Sequence, residues 1–223
     1  MPKDTFFNLP EAKRRRIERL AIDEFAQNDY HQASISRLVE RAGIAKGSFY
    51  QYFEDKQELF EYLLNMAGQE KARFLTESLS QDDEGNVFDQ LRRLLRRGLE
   101  FEFSHPGLAQ IGYRAYYGDA PLPPRVMDQL QQSGDQFFRN IVEQGQQEGA
   151  IDPDLEPSNL AWLFSVVFNN LGDYLFKQMA IEPDELRRDG IGAINRPQYE
   201  PIVDEVIELL ERASSGPGEH NAN

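Results

Sequence analysis

Apolar residues recur along this chain at intervals of three and four, and no stretch alternates polar and apolar for long enough to form a strand, so the pattern predicts an all-α protein. Ile17, Leu20, Ala21 and Phe25 lie on one face of a helix that begins near Pro10 and fades at "QNDY". Ser34 then offers an N-cap oxygen to "ISRLVERA", whose Ile35, Leu38, Val39 and Ala42 form a second apolar stripe. Gly43 can take the positive φ that stops a helix in a sharp turn, and a third short helix follows over about 46–52. Helix, tight glycine turn, helix is the outline of a helix-turn-helix. Asp55, with Glu58 three residues on, has the form of a capping box and opens a long helix over 56–79. The acidic stretch "SQDDEGN" at 80–86 breaks the pattern. Five more helical segments are predicted at 87–103, 107–117, 123–148, 157–180 and 198–213, separated by turns such as "SHPG" and "GDAPLPP". Residues 182–200 read as irregular, and 214–223 as a disordered tail.

The third short helix carries the most informative side chains. In "KGSFYQYFEDK", Lys46 to Lys56, residues 46, 47, 50 and 51 share one helix face, while Phe49 and Phe53, four apart, share the opposite one. The expectation is that Phe49 and Phe53 pack inward and that Lys46, Ser48, Tyr50, Gln51 and Tyr52 face outward. Serine and tyrosine hydroxyls suit phosphate oxygens, glutamine pairs bidentately with adenine, and lysine reaches guanine or phosphate. Gly47 lets the backbone approach a groove closely. Lys56, opening the next helix, is expected to add a charge-assisted phosphate contact. Aromatics at helical spacing are more often core than contact surface. That reading accounts for Phe49 and Phe53 but leaves the glycine, the Ser48 hydroxyl, Gln51 and two tyrosine hydroxyls without a role.

A formal net charge of −14 argues at first against a polyanionic partner. Its distribution reverses the inference. Residues 1–73 hold 12 Lys+Arg against 12 Asp+Glu, so the whole negative excess lies beyond them, and residues 1–53 are slightly basic, with "KRRRIER" concentrated at one end. A nucleic-acid module joined to an acidic partner domain has this asymmetry. The absence of Cys excludes disulfide frameworks, thiolate metal sites and cysteine nucleophiles, and suits a reduced cytoplasmic setting. His31, His105 and His220 are scattered, no uncharged apolar run reaches about 18 residues, and the N-terminus lacks a secretory apolar region. A cytoplasmic protein with no metal, cofactor or membrane partner is expected. No metal-spaced cluster, phosphate loop or nucleophile motif supports an enzyme.

"SISRLVERAGIAKGSFYQYFEDKQELF", Ser34 to Phe60, closely resembles the DNA-binding signature of the TetR family of transcriptional regulators. In that signature a serine or threonine cap, an A-G-[VI] turn, a [GS]-[ST]-x-Y-x-[YH]-F recognition helix and a following lysine recur. The resemblance covers about residues 14–65; Asp29 stands where a glycine usually precedes the tyrosine, and Ala45 where a serine or threonine often caps the recognition helix. It implies an N-terminal three-helix DNA-binding domain over 1–54 and a C-terminal helical effector-binding and dimerisation domain over 55–213. Carried over residue by residue, it implies that Lys46, Gly47, Ser48, Tyr50 and Gln51 face the major groove. Ser34, Ser36, Tyr52 and Lys56 would hold phosphates, with Arg37 a weaker phosphate candidate.

A single helix-turn-helix reads too few base pairs for specificity, and dimers place two recognition helices about 34 Å apart. "NLAWLFSVVFNNLGDYLF" is apolar around the whole helix, and "PIVDEVIELLERA" carries an apolar stripe. The resemblance implies that these two helices pair with their copies in a homodimer on a palindromic double-stranded operator. It also implies a small-molecule effector held by the long helix over 56–79 and those following it, and the aromatic residues of that region suit a hydrophobic or aromatic one. Candidate effector contacts are Phe101, Tyr113, Tyr117, Phe138 and Phe168, for which ordinary core packing is the competing reading, and Asn169 and Asp173, which are read either as polar handles of the pocket or as hydrogen-bonding groups across the dimer interface. The function expected is a ligand-responsive repressor. The alternative is an architectural or interaction protein that uses the same fold on DNA without an effector.

Overall fold

The computed structural model describes residues 1–79, 85–118, 120–180 and 196–216, and every regular element among them is an α-helix. In chain order these are α1 (Asp4–Phe7), α2 (Glu11–Gln27), α3 (Ile35–Ala42), α4 (Lys46–Tyr52), α5 (Lys56–Leu79), α6 (Val87–Ser104), α7 (Pro106–Tyr117), α8 (Pro124–Gln147), α9 (Pro157–Gln178) and α10 (Arg196–Ser214). The all-α expectation and the helix order hold, with most ends within two residues of those read from periodicity. The expected irregular stretch 182–200 and the tail 214–223 fall largely outside the described residues; residues 196–200 open α10 and Ser214 closes it. The short α1 was not expected, since four residues are too few to show a period.

Two compact units divide the chain, Met1–Arg73 with His105–Pro124, and Phe74–Ser104 with Arg125–Asn223. The first unit is built around aromatic rings. Phe6, Phe25, Phe49, Phe53 and Phe60 are all at most 1% exposed, and burying each such side chain contributes on the order of 2 kcal/mol. The local sequence explains the turns. The Ser34 hydroxyl accepts from the Arg37 amide at 3.3 Å and caps α3, and Gly43 closes α3 at φ 68°, where an L side chain would be strained. Asp55 accepts from the Glu58 amide at 2.8 Å, while the Glu58 carboxylate accepts from the Glu54 amide at 2.7 Å. This is the predicted capping box, displaced by one residue on its return bond.

Two further ties fix the first unit. Glu24, 3% exposed, accepts from the Ser34 amide at 2.8 Å and from the Arg37 guanidinium at 3.1 and 2.5 Å, so one buried carboxylate joins α2 to the start of α3. Tyr62 donates to Glu18 at 2.6 Å; burial, reinforced by this bond, raises its phenol far above the ordinary tyrosine range and keeps it a donor. The unit also takes in α7, which the chain reaches only after α6. Gly107 lies so close to α2 that a β-carbon there would come within 2.7 Å of the Ile22 Cγ2 methyl. Arg114 pairs with the Asp29 carboxylate and donates to the Ala26 carbonyl at 3.3 Å, placing a cation at the C-terminal end of α2.

In the second unit, Val87, Leu91, Leu95 and Leu99 of α6 form a buried stripe with Val142 of α8, Phe164 and Leu175 of α9, and Val203 and Ile207 of α10. Asp204 of α10 accepts from Arg92 at 3.2 Å and Arg96 at 2.9 Å, which ties α10 to α6. Glu156 caps α9 ahead of Pro157, whose missing N–H costs nothing in the first turn.

Candidate nucleic-acid interface

The helix expected to read DNA is α4, and its two faces follow from its anchors. Phe49 and Phe53 stack at 5.5 Å between ring centroids, and Phe53 lies 4.8 Å from Phe6. With that face inward, Lys46, Gly47, Tyr50 and Gln51 are left exposed and Ser48 half-buried; Tyr50 is 48% exposed. The backbone at Gly47 is open, with nothing within 4 Å of where a β-carbon would stand. Ser36, at the second position of α3, is exposed, and Ser34 is half-buried.

Three expected phosphate contacts are placed differently. Tyr52 is 6% exposed and turns inward against Phe6, because position 52 falls at i+3 from Phe49 and shares its face. Lys56 is turned back into the unit: its ammonium donates to the Tyr30 carbonyl at 2.7 Å, to Ala33 at 3.1 Å and to His31 at 3.4 Å, and it sits 4.5 Å over the Tyr30 ring. An ammonium has three donors, and three carbonyls take them. This lysine therefore braces the turn between α2 and α3 instead of reaching outward. Arg37 is half exposed, but its fork is engaged by Glu24 and by the Gln32 carbonyl at 2.9 Å. Lys56→Met is expected to cost about 1–3 kcal/mol of stability by leaving partly buried carbonyls unpaired, with the salt slope of DNA binding unchanged. Thermal unfolding and a salt titration of binding check this.

The candidate effector contacts are divided between the two units. Tyr113 is 42% exposed on α7 in the first unit, and the Tyr117 side chain lies outside the described residues. In the second unit Phe101 is buried against Phe74 at 5.7 Å, and Phe138 is 6% exposed and meets Phe168 at 5.1 Å. Asn169 is exposed and its amide donates to Ser165 on its own helix at 3.3 Å, while Asp173 is half-buried. Sequence reasoning missed the N-terminal segment before α2, whose only signal was the pair of phenylalanines in "DTFF".

An apolar face is left uncovered in the second unit. Along α9, Trp162 is 65% exposed, Val166 40% and Tyr174 49%, spaced as one helix face, and Leu209 on α10 is 57% exposed.

Among the described residues no helix is long and apolar enough to cross a membrane. Residues 17–63 match the family described as bacterial regulatory proteins, tetR family, and residues 85–213 match the tetracyclin repressor-like C-terminal domain. A crystal structure of a TetR family transcriptional regulator from Chloroflexus aurantiacus is 43% identical, covers 96% of this chain and 98% of its own, and superposes with a TM-score of 0.83. The HTH-type transcriptional regulator YdgC of Bacillus subtilis is 35% identical over 82 residues, 37% of this chain and 42% of YdgC, so that match spans less than half of the relative's length. The transcriptional regulator FadR of Bacillus subtilis, solved in complex with stearoyl-CoA, shares the fold at 17% identity and a TM-score of 0.64, over 88% of this chain and 96% of its own. With a matching domain at each end and a near full-length structural relative, the chain belongs to the tetR family of bacterial regulatory proteins.

Proposed function

We propose that this protein is a ligand-responsive transcriptional repressor that binds a palindromic double-stranded operator as a homodimer and is released by a small hydrophobic or aromatic effector. The observation that carries the DNA-binding part is the division of α4. Its aromatic face is locked into the first unit, and Lys46, Gly47, Tyr50 and Gln51 are presented together on the other side. Those side chains suit base edges and phosphates, and Ser36 extends the polar surface onto α3. The exposed stripe of Trp162, Val166 and Tyr174 on α9, together with the exposed Leu209 on α10, supports pairing with a second copy. An uncovered tryptophan and its apolar neighbours mark a contact surface.

The repressor-like C-terminal domain and the stearoyl-CoA complex of the structural neighbour support an effector held in the second unit. Among the described aromatics, Phe138 and Phe168 are the pair to probe for it. An effector that binds one conformation of the dimer better than the other shifts the population away from the DNA-compatible state by its differential affinity.

Selection from a randomised duplex library tests the reading. A palindromic consensus with half-site centres about one helical turn apart is expected, with affinity falling steeply as salt rises. Enrichment of no consensus would replace it with the architectural alternative. Thermal shift with acyl-CoA thioesters and aromatic amphiphiles tests the effector part, because a ligand of the native state raises its stability by mass action. A ligand that raises the melting temperature should weaken operator binding, and a bound ligand that leaves operator affinity unchanged would remove the coupling.

A further inference from the structure

The reading helix is intrinsically weak. It has seven residues, contains Gly47, and begins at Ala45 with no side-chain cap. Two turns with a glycine inside and no N-cap do not hold themselves in water. Its C-terminal end is where the missing support is supplied. The Phe53 amide takes the Phe49 carbonyl at 2.9 Å, and the next three carbonyls, which a helix leaves without intrahelical partners, all accept from the segment before α2. The Lys3 ammonium donates to Tyr50 at 3.0 Å, the Thr5 hydroxyl donates to Gln51, and the Lys3 amide donates to Tyr52 at 2.9 Å. Phe6, fully buried, pins this segment against Tyr52 at 6.0 Å and Phe53 at 4.8 Å between ring centroids. The Lys3 charge also lies at the negative end of the α4 dipole.

We infer that Lys3, Thr5 and Phe6 form a brace that C-caps the reading helix, making them positioning residues for operator recognition although they lie outside the helix-turn-helix. The inference rests on the proposed DNA-binding role, but the brace itself is measurable in the free protein. Thr5 and Lys3 are exposed at their side chains, so removing their donors leaves the core intact.

The test uses the full chain with Lys3→Met and Thr5→Val combined, and with Thr5→Ser as the conservative variant. Hydrogen exchange of the α4 amides in the free protein is expected to quicken about tenfold relative to α2 amides in the same sample, as two hydrogen bonds are lost. Operator affinity is expected to weaken by a similar factor, with the slope of log affinity against log salt unchanged, and Thr5→Ser should behave like the parent. Unchanged exchange in α4 overturns the brace. A salt slope reduced by about one identifies Lys3 as a direct phosphate contact instead and also overturns it. Faster exchange with full operator affinity overturns the positioning role. If the parent chain binds no DNA, the proposed function fails, and the exchange measurement still decides whether the brace exists.

Discussion

Replacing Trp162 and Val166 together by glutamate is expected to yield a folded monomer whose operator affinity is about 10²–10⁴-fold weaker than that of the parent. Both side chains stand out from α9, at 65% and 40% exposure, so the core of the second unit loses nothing when they become charged. Two carboxylates per copy would instead face two more across a two-fold axis, which puts like charges in a desolvated seam. The affinity loss follows from linkage. Once one half-site is held, the second reading helix binds from a high effective concentration, and a monomer forfeits that gain without any change at its own DNA face. Light scattering should show half the parent's mass, with an unchanged unfolding midpoint at equal protein concentration only if the monomer is stable alone. A dimer that persists in the double variant would relocate the interface away from this stripe.

Lys46→Ala with Tyr50→Ala is expected to weaken operator binding at least about a hundredfold, since each base-edge or phosphate contact is worth about 1–3 kcal/mol. Neither side chain supports the fold. Lys46 is exposed, and Tyr50 is 48% exposed with its ring edge-on to Phe49 at 5.2 Å. Thermal unfolding should therefore move by only a fraction of what Phe49→Ala would cause, because truncating a buried phenylalanine costs about 3–5 kcal/mol. The pair also separates charge from contact: the lysine should lower the salt slope by about one and the tyrosine should leave it unchanged. A double variant that binds the operator like the parent would remove α4 from the interface.

The parts legible in the sequence are those with a period or a stop signal. Helix α5 was readable at both ends, because Asp55 and Glu58 mark its start and "SQDDEGN" follows its finish. Gly43 announced the turn before α4 by its need for positive φ. Tyr52 packs inward because i+3 belongs to the same helix face as the i, i+4 pair of Phe49 and Phe53, a face wider than that pair alone marks. Lys56 could not have been assigned from the sequence, since its partners are backbone carbonyls 23 to 26 residues away that only the folded turn brings together. The candidate effector contacts are the least readable. An aromatic count does not distinguish core from lining, and Phe101 and Phe138 are buried in the second unit. Asn169, a candidate for either a pocket handle or a hydrogen bond across the dimer interface, bonds along its own helix.

The tie between Arg114 and Asp29 bears on how such a protein can be recombined. Asp29 replaces the glycine usual at that position in the family signature, and its partner stands 85 residues further along the chain, on a helix that belongs to the same compact unit. A chimera that exchanges only the first 54 residues would separate the two charges and present Gly107 with a foreign α2 face. The exchangeable head of this regulator is discontinuous: it includes the segment around α7, and a change of operator specificity by grafting has to carry both pieces across together.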